Sequence, residues 1–317
     1  MRYGFLIGIG SGLASALLFY SAARGGLLLR PILLLLTPIP SLVAGLGWGW
    51  LPAAVGAAAG GLVVASLANG TIAIGYLIAL GVPCALAAYL VYLSRPDPYD
   101  PNLREWYPVG RLMAAMTLYA GAVPVLSLPL VGGSYDSMRP QMSEVLKQFT
   151  KQWQPPGPQV TDQALAAQTD LLLAILPAGL ALQWLAVCAI NLYLAGRIVL
   201  ASGRLGRDWP DIAALTYPRG FPLLLLVLAL LAAAGGGTIG AIGTSFTGAF
   251  LGAYLLAGLA LTHVVARGRA PWLVWLVYLG LLLPFLFPFF MPVVALAGLL
   301  DSTLKLKQRL GPPPPSA

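Results

Sequence analysis

Five polar or aromatic side chains within apolar segments could hold a small molecule by hydrogen bonding or ring stacking. Amide and phenol groups recognise polar atoms of a ligand, whereas indole and imidazole rings can stack on a flat one. The candidates are Gln183, Trp184, Asn191, Tyr254 and His263. A structural role is the alternative, because buried amides often hold helices together and a histidine near a helix end can lie at the membrane surface.

The densest row of polar side chains lies between residues 177 and 200. At about 100° per residue, Trp184, Cys188 and Asn191 fall on nearly one line of a helix. Gln183 lies beside that line. Because an unpaired amide costs about 2–7 kcal/mol in an apolar medium, we expect both amides to face the bundle interior or a wet cavity. We therefore predict that this helix is the centre of the bundle.

The residue types leave little material for catalysis. The chain has one histidine, and its ten carboxylates, from Asp97 to Asp301, lie in loops or at the ends of apolar segments. Serine chemistry needs a base beside the nucleophile, and metal chemistry needs clustered histidines or carboxylates. Cys84 and Cys188 lack metal-site spacing and are interpreted as packing residues. We predict no buried acid at mid-membrane for a proton relay or an ion site, no enzymatic activity, and no metal or cofactor.

Composition defines the class of protein that positions these residues. Of the 317 residues, 59% are hydrophobic and 9% are charged, whereas soluble proteins average about 25% charged. The net charge of +8 comes from lysines and arginines in loops and at helix ends, as membrane orientation requires, so no nucleic-acid partner is expected. We predict an all-α polytopic transmembrane helix bundle of about 8–10 spans in a lipid bilayer, forming one domain over residues 1–310.

Small residues at four-residue spacing mark two places where another backbone can approach closely. These residues are Gly4, Gly8, Gly12 and Ala16 in the first apolar segment and Gly248 and Gly252 in a later one. The first face predicts either a helix contact within this chain or the docking of a separate subunit. Residues 21–23 also resemble a signal-peptide cleavage site, so a cleaved leader is the alternative for the first segment.

Residues 132–169 form the one sizeable polar insert. Within residues 138–153, apolar side chains recur at three- and four-residue steps opposite Glu144 and Lys147, which predicts an amphipathic extramembrane helix. This helix either caps a binding site or lies on the membrane surface as a connector. Thr161 is expected to cap the helix that follows.

Prolines interrupt the last apolar stretch, residues 271–300, at Pro284, Pro288 and Pro292. A single crossing would place the basic C-terminal segment with the loops that carry fewer lysines and arginines, whereas a chain that turns back places it with the majority. We therefore predict a broken helix pair, with the N-terminus and the C-terminus both in the cytoplasm. Residues 311–317 are predicted to be a disordered, proline-rich tail.

Several short motifs follow one another along nearly the whole chain. They are Pro40, Gly45, Gly49, Gly56, the Asn69-Gly70 turn, Pro83, Pro177, Asn191, LGR at 205–207, Pro210, Pro218 and GLLDSTLKLKQR at 298–309. Taken in this order, they resemble the YybS-like family of bacterial integral membrane proteins, a domain of unknown function.

That family is distantly similar to the substrate-capture subunits, called S components, of energy-coupling-factor transporters. This resemblance implies a small organic substrate in the helix bundle, an inner-membrane location, and a transmembrane coupling protein with ATPases as partners. The glycine face of the first helix would then dock the coupling protein. The family is also similar in architecture to rod-shape membrane proteins, which implies a scaffold or assembly factor for the cell envelope. Architecture alone does not choose between these functions.

Overall fold

The computed structural model describes most of the chain, and within the described residues nearly all of it is helical. These residues are 2–26, 29–100, 102–134, 136–153, 161–211, 215–267 and 270–310. The predicted tail at 311–317 lies outside them.

The helices of the described residues follow one another with short connections. In chain order they are α1 (Arg2–Arg24), α2 (Leu29–Leu36), α3 (Ile39–Trp48), α4 (Trp50–Leu67), α5 (Gly70–Tyr76), α6 (Val82–Tyr92), α7 (Val109–Ser127), α8 (Arg139–Trp153), α9 (Asp162–Ala201), α10 (Phe221–Ala234), α11 (Gly237–Ala266), α12 (Trp272–Leu282), α13 (Phe287–Leu304) and α14 (Leu306–Arg309). A π-helical segment, Leu77–Gly81, joins α5 to α6. Strands β1 (Ser94–Pro96) and β2 (Arg104–Trp106) form an antiparallel hairpin between α6 and α7.

Eight stretches of the described residues are long and apolar enough to cross a bilayer, which confirms the predicted all-α polytopic bundle. They are Tyr3–Arg24, Leu29–Trp48, Trp50–Leu67, Gly70–Tyr92, Val109–Leu130, Asp162–Ala201, Gly237–Ala266 and Phe287–Leu304. A helix needs about 20 residues to span the hydrocarbon core. With 14 and 11 residues, α10 and α12 are too short to cross alone.

Polar side chains cap two of these helices, and the cap at Thr161 is one that the sequence predicts. The side chain of Asn69 accepts the backbone N–H of Ile72 at 2.9 Å and so begins α5. The hydroxyl of Thr161 accepts the N–H of Ala164 at 3.2 Å and begins α9. Each bond satisfies an N–H group that has no partner within its own helix.

The helices α9 and α11 form the centre of the bundle. Between them they pack against α3, α7, α8, α10 and α13, and they also pack on each other. The 40 residues of α9 measure about 60 Å at 1.5 Å per residue, roughly twice the thickness of the hydrocarbon core. The predicted amphipathic helix forms as α8, which lies against α9 and pairs Arg139 with Asp170 at 2.5 Å.

The glycine face of α1 is occupied by α4 of the same chain. A Cβ atom on Gly8 would lie 2.6 Å from the carbonyl oxygen of Pro52, and one on Gly12 would overlap the carbonyl of Gly56. Gly4 also meets Pro52, and Ala16 is fully buried. Because α4 fills this face, the alternative that it docks a separate subunit is wrong for this structure.

A second close contact joins α11 to α9. A Cβ atom on Gly248 would overlap the backbone of Ala178, and one on Gly252 would lie 3.3 Å from Cδ2 of Leu185. These two glycines therefore act as helix-packing residues, as their spacing predicts.

The last apolar stretch is a broken helix pair, as its prolines predict. The chain leaves the helix between Leu282 and Phe287. A Cβ atom on Gly280 would overlap the ring of Phe290, so the two arms pack closely against each other. Lys305 ends α13 with a left-handed φ of +54°.

We predict that Gly12→Ala lowers the free energy of unfolding by about 1–3 kcal/mol, because an added methyl group must force α1 away from α4. Thermal unfolding in detergent measures this change. Gly10→Ala is the control, since among the described residues no heavy atom lies within 4 Å of a Cβ atom at that position. Equal melting temperatures for the two variants would contradict the close α1–α4 contact.

Candidate functional site

Two backbone carbonyls of the π-helical segment lack their usual helical donors. In a π-helix the N–H of residue i+5 donates to the carbonyl of residue i. The N–H of Val82 accordingly donates to the carbonyl of Leu77 and not to that of Ile78. Pro83 has no N–H, so it offers no donor to the carbonyl of Ile78, five residues earlier, or to that of Ala79, four residues earlier. In the hydrocarbon core no water can replace these bonds.

Two aromatic side chains from other helices supply the missing donors. The hydroxyl of Tyr119, on α7, donates to the carbonyl of Ile78 at 2.7 Å. The indole N–H of Trp184, on α9, donates to the carbonyl of Ala79 at 2.8 Å. The two rings lie against each other with centroids 5.4 Å apart. The π-helical segment is therefore held in place by side chains of the two neighbouring spans.

A small inner cavity lies on the bundle side of the π-helical segment. It has a volume of about 40 Å³ and is lined by Pro38, Leu42, Ala79, Leu80, Pro83, Cys84, Trp184, Val187 and Cys188. Sites for small organic molecules measure about 300–1,000 Å³, so the inner cavity is too small for such a molecule in this arrangement.

A larger lateral groove lies on the other side of the same segment, between α4 and α6. It is open to the outside of the bundle and has a volume of about 560 Å³, within the range of small-molecule sites. Its lining is Trp50, Ala54, Ala57, Ala58, Leu77, Val82, Ala85, Leu86 and Tyr89. Since Leu77 faces the lateral groove and Leu80 the inner cavity, the π-helical segment is the wall between them.

The central helix places only part of its predicted polar row in the interior. Trp184 lines the inner cavity, and Asn191 is fully buried. The amide of Asn191 donates to the carbonyl of Val187 at 2.8 Å, while its oxygen has no partner among the described residues. Gln183 is exposed on the outer face of α9, so the prediction that it faces inward is wrong. One residue is a rotation of about 100°, enough to take Gln183 off the inner face.

The remaining two predicted side chains belong to other clusters. Tyr254 is buried, with its ring centroid 6.0 Å from that of Tyr217. His263 is half-buried near the end of α11, where Nδ1 lies 2.8 Å from the carbonyl oxygen of Leu259 and the ring packs edge-on against Tyr278. Neither side chain lines the inner cavity or the lateral groove, so the five candidates do not share one site.

One buried ion pair was not predicted from the sequence. Asp301 and Lys307 have side chains only 4% and 10% exposed, and their charged atoms lie 3.1 Å apart. The ammonium group also donates to the carbonyl of Leu215 at 2.6 Å. Asp301 lies in the last turn of α13 and not at mid-membrane, and it is buried because the left-handed turn at Lys305 folds the chain back over it. A six-residue spacing matches no helical repeat and carries no signal in the sequence.

Several polypeptide segments meet at one end of the bundle, called here the basic end. In the connection between α9 and α10, the N–H of Gly206 donates to the hydroxyl of Tyr92 at 3.2 Å, and Arg207 donates to the carbonyl of Val91 at 3.0 Å. In the same connection, the carbonyl of Leu215 accepts a hydrogen bond from the ammonium group of Lys307. Burial lowers the pKa of the Arg207 guanidinium and raises the pKa of the Tyr217 phenol. Basic residues of these segments include Arg95, Arg104, Arg111, Arg197, Arg204, Arg207, Arg219, Lys305, Lys307 and Arg309.

The fold and its apolar spans define a polytopic α-helical membrane protein. The chain belongs to the DUF2232 family, described as predicted membrane proteins, whose family model matches residues 14–302. Comparisons with curated proteins and with solved structures give no match. The matched range includes the π-helical segment, both aromatic donors and Asp301.

We predict that Trp184→Phe lowers the free energy of unfolding by about 1–3 kcal/mol, because it removes the indole donor from the carbonyl of Ala79. The melting temperature in detergent measures the loss. Trp275→Phe makes the same chemical change at a side chain that is 78% exposed and should have little effect. A loss of stability no larger for Trp184→Phe than for Trp275→Phe would show that this hydrogen bond does not hold the π-helical segment.

We predict that Lys307→Met lowers the free energy of unfolding by about 3–5 kcal/mol, because Asp301 then keeps a buried and unpaired charge. Adding Asp301→Leu to this variant should restore most of the stability, since the uncompensated charge is removed. Arg309→Met, at an exposed position, controls for the loss of one basic residue. If the double variant is as unstable as Lys307→Met, the ion pair is not the source of the effect.

Proposed function

We propose that this protein is a membrane-embedded binding subunit for a small organic molecule that enters from the bilayer. The observation that carries this proposal is the position of the π-helical segment between the lateral groove and the inner cavity. The lateral groove has the volume of a ligand site, and apolar side chains make up most of its lining. π-Helical turns are frequent at functional sites, where they make a local segment of helix able to rearrange.

The π-helical segment gives this site a means of responding to its ligand. A molecule that displaces Leu77 from the lateral groove would also move Leu80, three residues further along the same turn. The hydrogen bonds from Tyr119 and Trp184 then act as the restraints that the ligand must overcome. Movement of the wall would change the shape of the inner cavity, whose present volume is about 40 Å³.

We propose binding and not catalysis. Within the described residues no cluster of His, Cys, Asp and Glu could hold a metal ion. The described lining of the inner cavity includes the thiols of Cys84 and Cys188. It contains no histidine or carboxylate that could activate these thiols. Energy for transport would come from a transmembrane coupling protein and ATPases. Such a partner would dock on a surface other than the glycine face of α1, which α4 covers.

The proposed orientation places the basic end on the cytoplasmic side of a bacterial inner membrane. Lysine and arginine accumulate in the cytoplasmic loops of membrane proteins. The connection between α9 and α10 and the C-terminal segment lie together at this end, since Lys307 contacts Leu215. Six of the candidate spans in the described residues precede this connection, and an even number of crossings returns the chain to the side on which it started. Both chain termini are then cytoplasmic.

A scaffold or assembly factor for the cell envelope is the second candidate function. It is favoured by exposed arginines at the basic end that stack on tryptophan rings. Arg197 lies 5.5 Å from the ring centroid of Trp209, and Arg204 lies 4.7 Å from that of Trp48. Such stacked guanidinium groups are common in protein interfaces.

We predict that Ala58→Phe fills the lateral groove and abolishes retention of the bound molecule. Mass spectrometry of small molecules extracted from purified protein measures this retention. Leu62→Phe is the control, because Leu62 is a residue of the same helix, is 71% exposed and lies outside the groove lining. A molecule retained by the wild type and by Leu62→Phe, but lost from Ala58→Phe, supports the proposal. An identical set of molecules in all three proteins would contradict it.

Affinity purification from the native membrane separates the two candidate functions. Recovery of a transmembrane coupling protein and ATPases is the result expected for a binding subunit. Recovery of envelope-synthesis or division proteins in their place would favour the scaffold.

A further inference from the structure

Arg204 holds an exposed charge in a defined position at the basic end. The helix α9 ends in a left-handed residue, Gly203, with φ of +67°. The N–H of Arg204 then donates back to the carbonyl of Val199 at 3.1 Å, a bond typical of a Schellman helix end. This turn directs the guanidinium over the ring of Trp48, with 4.7 Å between the guanidinium carbon and the ring centroid.

The charge of Arg204 has no acidic partner within the part of the chain that the structure describes. Other exposed arginines do pair with acids, as Arg95 does with Glu105 at 2.7 Å. The nearest acid in the sequence, Asp208, is exposed and interacts with the charge of Arg207. Because stacking on Trp48 uses the face of the guanidinium, its N–H edge remains available to an anion.

This free cation and the Trp50 end of the lateral groove lie at the same end of the bundle. Trp48 and Trp50 are separated only by Gly49, so their Cα atoms are at most about 7.6 Å apart. Gly49 has φ of +99° and separates α3 from α4. Trp50 lines the lateral groove and packs edge-on against Tyr89, with 6.0 Å between ring centroids.

A second contact, made by α6, places the connection that carries Arg204 at the same end of the bundle. Tyr92, one helical turn after Tyr89, accepts the N–H of Gly206 at 3.2 Å through its hydroxyl. Gly206 is two residues from Arg204. The connection that carries Arg204 therefore lies against the end of the helix that forms one wall of the lateral groove.

We infer that the lateral groove and Arg204 together bind an anionic phospholipid. The N–H edge of the guanidinium donates to the phosphate, and an acyl chain lies along the apolar lining between α4 and α6. Guanidinium groups match the geometry of phosphate oxygens, and tryptophan side chains settle at the level of lipid headgroups. A zwitterionic lipid also offers a phosphate, but its ammonium group would bring a second positive charge close to Arg204.

This inference rests on the proposed function, because it names the class of molecule that the lateral groove takes. That class is an amphiphile with an anionic head and an apolar tail. The net charge of +8 and the gathering of basic residues at this end agree with a negatively charged leaflet. Arg207 has a different role, since its guanidinium is tied to the carbonyls of Val91 and Tyr107.

Native mass spectrometry of the full-length protein tests this inference. The protein in detergent is titrated with phosphatidylglycerol and with phosphatidylcholine that carry the same acyl chains. We expect the wild type to bind phosphatidylglycerol more tightly than phosphatidylcholine. In Arg204→Gln the ratio of the two affinities should fall about fivefold, which is the effect of one basic residue on the binding of anionic lipid. Arg204→Lys should keep most of this preference. Arg219→Gln is the matched control, because it removes one exposed charge from the same connection.

The apolar part of the site is tested with Ala58→Phe, which should weaken binding of both lipids while leaving the preference between them unchanged. Melting temperatures of all variants establish that they are folded. Equal loss of preference in Arg204→Gln and Arg219→Gln would overturn the inference, since any surface charge would then suffice. Unchanged lipid binding by Ala58→Phe would also overturn it, because the tail would not lie in the lateral groove.

The two proposals fail in different ways. If Ala58→Phe loses a co-purified molecule and Arg204→Gln keeps the full lipid preference, the proposed function stands and the lipid inference is wrong. If the lipid preference depends on Arg204 but Ala58→Phe retains every extracted small molecule, the groove is not the ligand site of the proposed function.

Discussion

A backbone carbonyl in the hydrocarbon core must find its donor within the protein, and this requirement organises the centre of the bundle. Pro83 removes the donor of Ala79, and the π-helical register moves the N–H of Val82 away from Ile78. Tyr119 and Trp184 replace both donors. The spans α7 and α9 are thereby joined to the wall of the lateral groove by polar contacts that lipid cannot supply.

The functional proposals all depend on this wall and on the basic end. The wall separates an open groove of about 560 Å³ from an inner cavity of about 40 Å³, and in the proposed function a ligand in the groove would act on the cavity through this wall. At the basic end, Lys307 and Arg207 use their charges to hold the fold, whereas the charge of Arg204 is available to a ligand. An amphiphile with an anionic head satisfies both the apolar groove and this cation.

Several features of the fold could be predicted because they depend on residues close together in the chain. The proline break in the last stretch, the cap at Thr161 and the amphipathic helix α8 are of this kind. The candidate site was predicted less well. Helical spacing grouped Gln183 with Trp184, but Gln183 is exposed, since a helical repeat does not specify which neighbouring helix covers which side.

By itself the sequence determined the class of protein, the number of apolar spans to within one or two, and some helix ends, because hydropathy and caps act locally. Only the tertiary structure decided that α4 covers the glycine face of α1, that Asp301 is buried with Lys307, and that a groove and a cavity share the π-helical segment. Each of these depends on which surfaces meet. In a chain with apolar residues on nearly every helix face, hydrophobic pattern alone does not select the partners, and close packing with satisfied polar groups does.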